Sequence, residues 1–333
     1  MPKAGSSTIQ AWLARNADNL RDQGIMVVSA ALKDGGFPAF TPHENGSINS
    51  GWLADRAIEA WAQHDATVGQ GIIDALAEAA EEHGTIVVTG ESFAHAFWSL
   101  HKPTLDAFEA LSESHDVRIA YYARPQHIVL EAAWKQWGFR SELAPSAYVA
   151  TYADHLRYAS TAHGVAKLAP SLGFEPRPLR EDLLDQEDLI TDFGGRFLGI
   201  EARSDGEWAN RGLPLELAIM LRAAPPGMFW ATTDDNARLD KIKRLFAGPG
   251  ASDDERLNRS RLVLRQHAYE RFAEENARLG WNQFVPKPSE EDRAPGIDAL
   301  DLLWRPSASE AELAVFFNIL NSAISLPGPN ASE

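Results

Sequence analysis

Short, almost wholly apolar runs alternate with stretches of helical periodicity in the first part of the chain. Strands covered on both faces lack polar alternation, so the apolar runs predict buried strands at 25–28, 85–89 and 117–123. Between them, apolar residues recur every three or four positions, which predicts helices at 6–21, 52–63, 67–83, 92–113 and 126–137. This alternation favours an α/β fold with a parallel sheet flanked by helices.

Beyond residue 140 the pattern becomes mainly helical. One further strand is predicted at 175–180 although this segment holds two prolines. Helices are predicted at 185–198, 213–224, 236–247, 253–280 and 309–325. Residues 33–50 are rich in Gly, Pro, Asn and Ser and predict a loop. We therefore expect an α/β core over 1–200, a helical C-terminal portion of the same domain over 201–325, and a disordered tail over 326–333.

Composition limits the classes of function. The chain has 333 residues, of which 44% are hydrophobic, and its net charge of −16 argues against general nucleic-acid binding. It has no cysteine, which excludes disulfides and thiolate zinc sites. No apolar run approaches the roughly 18–20 residues that span a bilayer, and no apolar leader is visible, so we expect a cytoplasmic protein.

The N-terminal segment Lys3-Ala4-Gly5-Ser6-Ser7-Thr8 leads directly into the first predicted helix. A helix N-terminus offers unpaired N–H groups and the positive end of the helix dipole. The glycine permits close backbone approach, the three hydroxyls add donors, and the lysine adds a full charge. These are the components of a phosphate-binding loop. The structural alternative is an ordinary Ser/Thr helix cap at a chain terminus.

The order of residues in this loop separates it from the nucleotide triphosphatase P-loop. The pattern GxxxxGK[ST] is absent, and the lysine precedes the glycine. The sequence PKxG followed by paired hydroxyl residues resembles the 5′-phosphosulfate loop of bacterial sulfotransferases that use PAPS (3′-phosphoadenosine-5′-phosphosulfate). The resemblance implies that Lys3, Ala4, Gly5, Ser6, Ser7 and Thr8 bind the 5′-phosphate and the sulfuryl group.

A second candidate loop follows the third strand. Arg124 stands at the carboxyl end of that strand, where open α/β sheets bind ligands, although a surface ion pair is the alternative role. In the family that this chain resembles, an arginine here and a serine eight residues later hold the 3′-phosphate. Arg124 fits this pattern, whereas the serine position is Ala132. His127 is a neighbour that could compensate for the missing hydroxyl.

The turn after the second strand contains the candidate catalytic base. The resemblance implies that Glu91 accepts the proton of the acceptor hydroxyl, with His95 one turn later as the alternative. Glu91 could instead be a carboxylate at a helix N-terminus, and His95 a packed or surface histidine. No histidine spacing matches a metal site, so no metal is expected. The acidic stretch 181–193 is interpreted as the solvated face of a helix.

The position of the first loop is unusual. In the sulfotransferase fold this loop follows a buried central strand, yet only Met1 and Pro2 precede Lys3. One interpretation is that the start codon lies upstream of Met1, and this is the one we favour. The other is that the strand is absent, which would leave a hole between neighbouring strands.

The resemblance implies transfer of a sulfuryl group from PAPS to an acceptor hydroxyl, with release of PAP (adenosine 3′,5′-bisphosphate). The expected acceptor is a carbohydrate. Two alternatives remain. A catalytically impaired relative that binds a nucleotide or a partner is suggested by Ala132 and the missing strand. A P-loop kinase is disfavoured because the lysine of its motif is absent.

Overall fold

The computed structural model describes most of the chain, namely residues 6–32, 38–44, 48–50, 53, 56, 59, 66–90, 93–204, 213–225, 241–242, 245–246 and 254–325. The chain divides into two compact units. The first comprises 1–125, 155–210 and 274–284, and the second comprises 126–154, 211–273 and 285–333. The predicted tail at 326–333 and most of the helices predicted at 52–63 and 236–247 lie outside the described residues.

The first unit contains the strands. Its elements, in chain order, are α1 (Ser6–Arg15), α2 (Ala17–Asp22), β1 (Ile25–Leu32), β2 (Pro38–Pro42), α3 (Ala66–His83), β3 (Thr85–Val87), α4 (Phe93–Trp98), α5 (Lys102–Ser112), β4 (Arg118–Ala123), α8 (Tyr158–Leu168), β5 (Gly173–Pro178) and α9 (Leu189–Phe193). The described part of the second unit is helical: α6 (Gln126–Gln136), α7 (Pro145–Ala153), α10 (Leu215–Arg222), most of α11 (Glu255–Arg278), α12 (Leu300–Leu303) and α13 (Glu310–Ser325). The predicted α/β class and the mainly helical C-terminal part are thus confirmed.

The first sheet has the strand order β2-β1-β3. β1 pairs in parallel with β3, where Ile25 stands opposite Thr85, as the prediction of a parallel sheet requires. β1 also pairs with β2 as an antiparallel hairpin, which corrects the prediction of a loop throughout 33–50. The sequence pattern did not predict β2 because this five-residue strand begins and ends in proline. Proline is tolerated there because β2 is an edge strand among the described residues.

The second sheet consists of β4 and β5, which pair in parallel from Arg118 opposite Gly173 to Ala123 opposite Pro178. The strand predicted at 175–180 is therefore confirmed, with its start two residues earlier. Its two prolines are compatible with a strand that has a single hydrogen-bonded neighbour.

The two sheets are separate. Among the described residues, β3 is the last strand of the first sheet and β4 is the first strand of the second, and no ladder joins them. The prediction of a parallel sheet is therefore confirmed for the pairing of β1 with β3 and of β4 with β5. It is wrong in that these strands form two separate sheets. A cavity lies between the two facing strands, as described below.

Adjacent residues of β1 show that the first sheet is covered on both faces. Val27 packs in a core with Trp12, Leu13 and Tyr122, whereas Val28 packs in a second core that includes Leu105. Successive strand side chains point to opposite faces, so both faces of β1 are buried. This explains why the sequence of β1 lacks polar alternation.

Two predicted helices are shorter or broken. The helix predicted at 6–21 divides at Asn16, whose φ and ψ of −106° and 10° are not helical. Residues 185–198 form a single 3₁₀ turn, the five-residue α9, and one π-helical turn at Gly194–Leu198. A π-turn widens the backbone locally and is frequent near functional sites.

Close packing beside this π-turn gives the first prediction. A Cβ at Gly194 would overlap the Cβ of the buried Ala202, whereas one at Gly195 would meet no atom within 4 Å. We expect Gly194→Ala to lower the free energy of unfolding by about 1–3 kcal/mol through overpacking. Gly195→Ala is the matched control and should leave stability unchanged or raise it by up to about 1 kcal/mol. Urea unfolding of both variants is the measurement, and equal midpoints would contradict the packing argument.

Candidate functional site

A cavity of about 590 Å³ lies in the first unit, between the two sheets. The segments 84–90 and 116–122 both line it, which includes all of β3 and all but the last residue of β4. The first turn of α1 contributes Ser6, Ile9 and Gln10 to the lining. The cavity is therefore bordered by the beginning of α1 and by residues of β3 and β4.

The N-terminal loop is described only from Ser6 onward. Lys3, Ala4 and Gly5 lie outside the described residues. Ser6 is the first residue of α1, and Ser6, Ser7 and Thr8 are all half-buried. The first turn of α1 contains no acidic residue, so no carboxylate within this turn would repel a bound anion. The helix start that the sequence predicted is confirmed, and Ser6 faces the cavity.

Arg124 follows the last residue of β4, as predicted. Its side chain is half-buried, and burial lowers the pKa of its guanidinium. Within the described part of the chain, the guanidinium makes no ion pair or hydrogen bond. The predicted alternative of a surface ion pair therefore has no partner among these residues. A desolvated cation without a counter-charge costs free energy, which an anionic ligand would recover.

The backbone of Arg124 is held by a buried aromatic cluster. The Tyr158 hydroxyl donates a hydrogen bond to the Arg124 carbonyl oxygen at 2.9 Å. Tyr158 is fully buried and packs against Tyr121 of β4 and against Trp281 and Phe284. The carboxyl end of β4 is therefore fixed before any ligand binds, which is the arrangement that a preorganised site requires.

His95 lies on α4 and is exposed. Its ring meets the edge of Trp98 at a centroid distance of 5.0 Å. Trp98 in turn donates a hydrogen bond from Nε1 to the Tyr121 hydroxyl at 2.5 Å. Through these two contacts His95 is linked to the strand that ends at Arg124. Glu91, the other candidate base, lies outside the described residues, although its neighbour Gly90 lines the cavity.

Ala132, the position of the missing serine, belongs to the second unit, whereas Arg124 belongs to the first. Ala132 is half-buried on α6. Its neighbour Glu131 accepts hydrogen bonds from Lys135 at 2.9 Å and from Arg261 at 3.2 Å. Burial raises the pKa of the Glu131 carboxyl, but the two cations outweigh burial and lower it overall. Lys135 and Arg261 are thus neutralised by Glu131.

His127 cannot supply a positive charge in place of the missing serine at neutral pH. Burial lowers the pKa of its imidazole to about 4, helped by the nearby charge of Arg265 and opposed by Glu131. Its Nδ1 is buried and makes no hydrogen bond among the described residues. His127 is therefore neutral in the folded protein above about pH 5, and the suggested compensation would have to rest on a neutral hydrogen bond.

The lowered pKa of His127 predicts a loss of stability in mild acid. The folded pKa of about 4 lies below the ordinary value near 6.5, so the unfolded chain binds the proton first. The stabilisation is complete above about pH 6.5 and falls by about 2 kcal/mol at pH 5. We expect His127→Gln to remove this loss of stability in mild acid when the free energy of unfolding is measured in urea as a function of pH. His163→Gln, an exposed control, should leave the profile unchanged, and parallel profiles for all three proteins would contradict the prediction.

A buried ionic network near the carboxyl ends of β4 and β5 was missed by the sequence analysis. Asp192 is completely buried and accepts hydrogen bonds from the Tyr122 hydroxyl at 2.6 Å and from the guanidinium of Arg177. Burial raises the pKa of Asp192, but these donors outweigh burial and lower it overall. The interpretation of 181–193 as a solvated helical face is therefore wrong at Asp192. The signal was its position three residues after Leu189, on the apolar face of α9.

The described ranges contain neither a candidate membrane-spanning helix nor a candidate metal-binding cluster. No helix there combines the length and apolar character that crossing a bilayer requires. No group of three or more His, Asp or Glu side chains there is placed to hold a metal ion. Comparison with known proteins adds no relative, because no family model, curated protein or solved structure matches the chain.

Proposed function

We propose that this protein is a PAPS-dependent sulfotransferase that transfers a sulfuryl group to an acceptor hydroxyl. The observation that carries the proposal is Arg124, a half-buried guanidinium without an ion-pair partner among the described residues, at the carboxyl end of β4. Ligands bind at this end of the strands in open α/β sheets, and arginine can hold a phosphate through two parallel hydrogen bonds. Arg124 therefore fits the 3′-phosphate end of the donor.

The first turn of α1 fits the other end of the donor. Its N–H groups and the hydroxyls of Ser6, Ser7 and Thr8 are suited to a 5′-phosphate, and the turn carries no acidic residue. Lys3 would neutralise the charge that develops on the departing phosphate oxygen. The order of βα elements and the lysine-before-glycine loop both support a sulfotransferase fold for the first unit.

The reaction requires a base beside the acceptor. The acceptor oxygen forms a bond to sulfur while the bond between sulfur and the phosphate oxygen breaks, so PAP leaves with the electron pair. The proton of the acceptor hydroxyl passes to Glu91, or to His95 if that residue is the base. A carbohydrate acceptor is proposed from the family resemblance alone.

A second candidate function is supported by Ala132. An alanine methyl group cannot donate a hydrogen bond, and a hydrogen bond to a charged phosphate is worth about 1.5–3 kcal/mol. Its loss would weaken donor binding by roughly tenfold to over a hundredfold. A related protein that binds a nucleotide or a partner without turnover is therefore the alternative.

Calorimetric titration of the full chain distinguishes these functions. We expect PAP to bind in the presence of EDTA and ATP with magnesium to give no binding heat. Release of PAP from PAPS in the presence of a polysaccharide acceptor supports the transferase, and PAP binding without release supports the inactive relative. Binding of ATP with magnesium in place of PAP supports a kinase. Absence of any nucleotide binding would reject the transferase and support an inactive relative that binds a partner.

A further inference from the structure

A serine and a histidine of the β1–β2 hairpin lie within hydrogen-bonding distance of each other. Ser29 Oγ and His43 Nδ1 are 2.9 Å apart. Ser29 stands opposite Thr41 in the ladder. His43 follows β2 directly and continues the pairing, because its N–H donates a hydrogen bond to the Val27 carbonyl oxygen at 2.8 Å. Ser29 and His43 are therefore diagonal neighbours across the two strands, and their contact follows from the register of the hairpin.

The two side chains differ in exposure as a nucleophile and its base require. His43 is 7% exposed, so its ring is held by the surrounding structure. Ser29 is half-buried and retains contact with solvent. Hydrogen-bond contact between a reachable hydroxyl and a fixed imidazole is the first geometric requirement for an activated serine.

The pair lies at the end of the first sheet where α/β proteins bind ligands. The parallel pairing of β1 with β3 ends before Ser29, so Ser29 lies beyond the carboxyl end of β3. The neighbouring Ala30 donates its N–H to Ser50 Oγ at 3.1 Å, and the Ser50 N–H donates to the Thr89 carbonyl oxygen at 2.6 Å. Ligands in open α/β sheets bind outside the carboxyl ends of the strands, so a substrate at this end would be near the Ser29 hydroxyl.

Another serine–histidine contact in the same unit lacks these properties. Ser114 Oγ lies 2.8 Å from His115 Nδ1, but the two residues are adjacent in the turn after α5. Ser114 is exposed, and its hydroxyl also contacts the Leu111 carbonyl oxygen at 3.3 Å. This pair precedes β4 and so lies at the amino end of that strand. It provides a matched control for Ser29 and His43.

We propose that Ser29 is a nucleophile activated by His43 and that this pair hydrolyses small carboxylic esters. Ser29 Oγ attacks the ester carbonyl carbon while its proton passes to His43 Nδ1. The bond from that carbon to the alkoxy oxygen then breaks, and the leaving alcohol takes the proton from His43. Water, deprotonated by His43, breaks the acyl–Ser29 bond and releases the carboxylic acid. The activity uses no nucleotide, so it goes beyond the proposed sulfuryl transfer.

Labelling of the full chain with a fluorophosphonate tests the proposal, since an activated serine displaces the fluoride. We expect a single label on Ser29, located by peptide mapping, and hydrolysis of 4-nitrophenyl acetate by the same protein. Ser29→Ala should abolish both reactions. His43→Gln should slow both at least about 100-fold, because general-base catalysis contributes about 10²–10⁴-fold. Ser114→Ala, the matched control, should change neither.

A thiol at the same position gives a readout that does not depend on turnover. The chain has no cysteine, so Ser29→Cys introduces a single thiol beside His43. A neighbouring imidazolium stabilises the thiolate and lowers the pKa of a thiol. We therefore expect this variant to react with iodoacetamide at least about tenfold faster than the double variant that also carries His43→Gln.

Several outcomes would overturn the proposal. Labelling spread evenly over Ser29 and Ser114, or ester hydrolysis that persists in Ser29→Ala, would exclude Ser29 as the nucleophile. Equal alkylation rates with histidine and with glutamine at position 43 would exclude activation by His43. The single variants at position 29 retain His43, so their result stands even where His43→Gln fails to fold. PAP binding, measured on the same samples, reports separately on the proposed function.

Discussion

Replacing Arg124 by methionine is expected to weaken PAP binding by at least about 30-fold without destabilising the fold. Removing one partner of a desolvated charge pair costs about 2–5 kcal/mol of binding free energy. The thermal stability of the unliganded protein, by contrast, is not expected to fall. Its half-buried guanidinium has no counter-charge among the described residues, so an apolar side chain of similar length should leave Tm unchanged or raise it. Calorimetry and thermal unfolding measure the two effects.

Two further variants make this prediction specific. Arg124→Lys keeps the charge but loses the paired donors, so its affinity for PAP should fall between those of the original chain and the methionine variant. Arg278 is exposed, is paired with Glu274 at 2.8 Å and does not line the cavity. Arg278→Met should therefore leave PAP affinity within about twofold. A methionine at 124 that binds PAP as tightly as arginine would remove the main support for the proposed function.

The second large effect is expected at Asp192. Its carboxylate is completely buried, and the Arg177 side chain that it pairs with is 12% exposed. Breaking one partner of a buried ion pair leaves the other charge uncompensated, at a cost of about 3–5 kcal/mol. Asp192→Asn should lower the free energy of unfolding by that amount, measured by urea unfolding at pH 7. This is a large fraction of the stability of a typical domain.

The pH profile gives the sign of the Asp192 contribution. Its folded pKa lies below the ordinary value near 4, so the stabilisation is present above that value and is lost as the pH falls through the folded pKa. Asp182, an exposed carboxylate paired with Arg180, is the control, and Asp182→Asn should leave the free energy of unfolding nearly unchanged because solvent screens an exposed ion pair. Combining Asp192→Leu with Arg177→Met should restore part of the loss. Equal costs for the asparagine variants at 182 and 192 would contradict the buried network.

The sequence predicts the local elements of this fold more reliably than their assembly. The strand VRIAYYA and the position of Arg124 at its end could be predicted because both depend on a few adjacent residues. β2 could not be predicted, since its strand character comes from pairing with β1 and its composition is that of a turn. The separation of the sheets likewise depends on contacts between segments far apart in the sequence.

In the candidate site, too, local features could be predicted from the sequence and contacts between distant segments could not. The order of lysine, glycine and hydroxyl residues in the first loop is visible directly in the sequence. The sequence does not show whether Arg124 has a counter-charge, because the neighbours of Arg124 come from distant segments such as the one that contains Tyr158. The burial of Asp192 was missed because five other acidic residues accompany it in 181–192 and the stretch was interpreted by its overall charge. Helical spacing, applied residue by residue, would have found it.

The open edges of β3 and β4 also affect the conditions under which molecules of this protein associate with one another. A strand edge without a hydrogen-bonded neighbour is a template for pairing with other chains, and among the described residues β2, β3, β4 and β5 each have one such edge. The net charge of −16 keeps molecules apart at neutral pH by mutual repulsion. As acid protonates the carboxylates near pH 4, this repulsion fades while the edges remain. Colloidal stability in this protein therefore depends on charge repulsion between molecules that carry strand edges open to pairing.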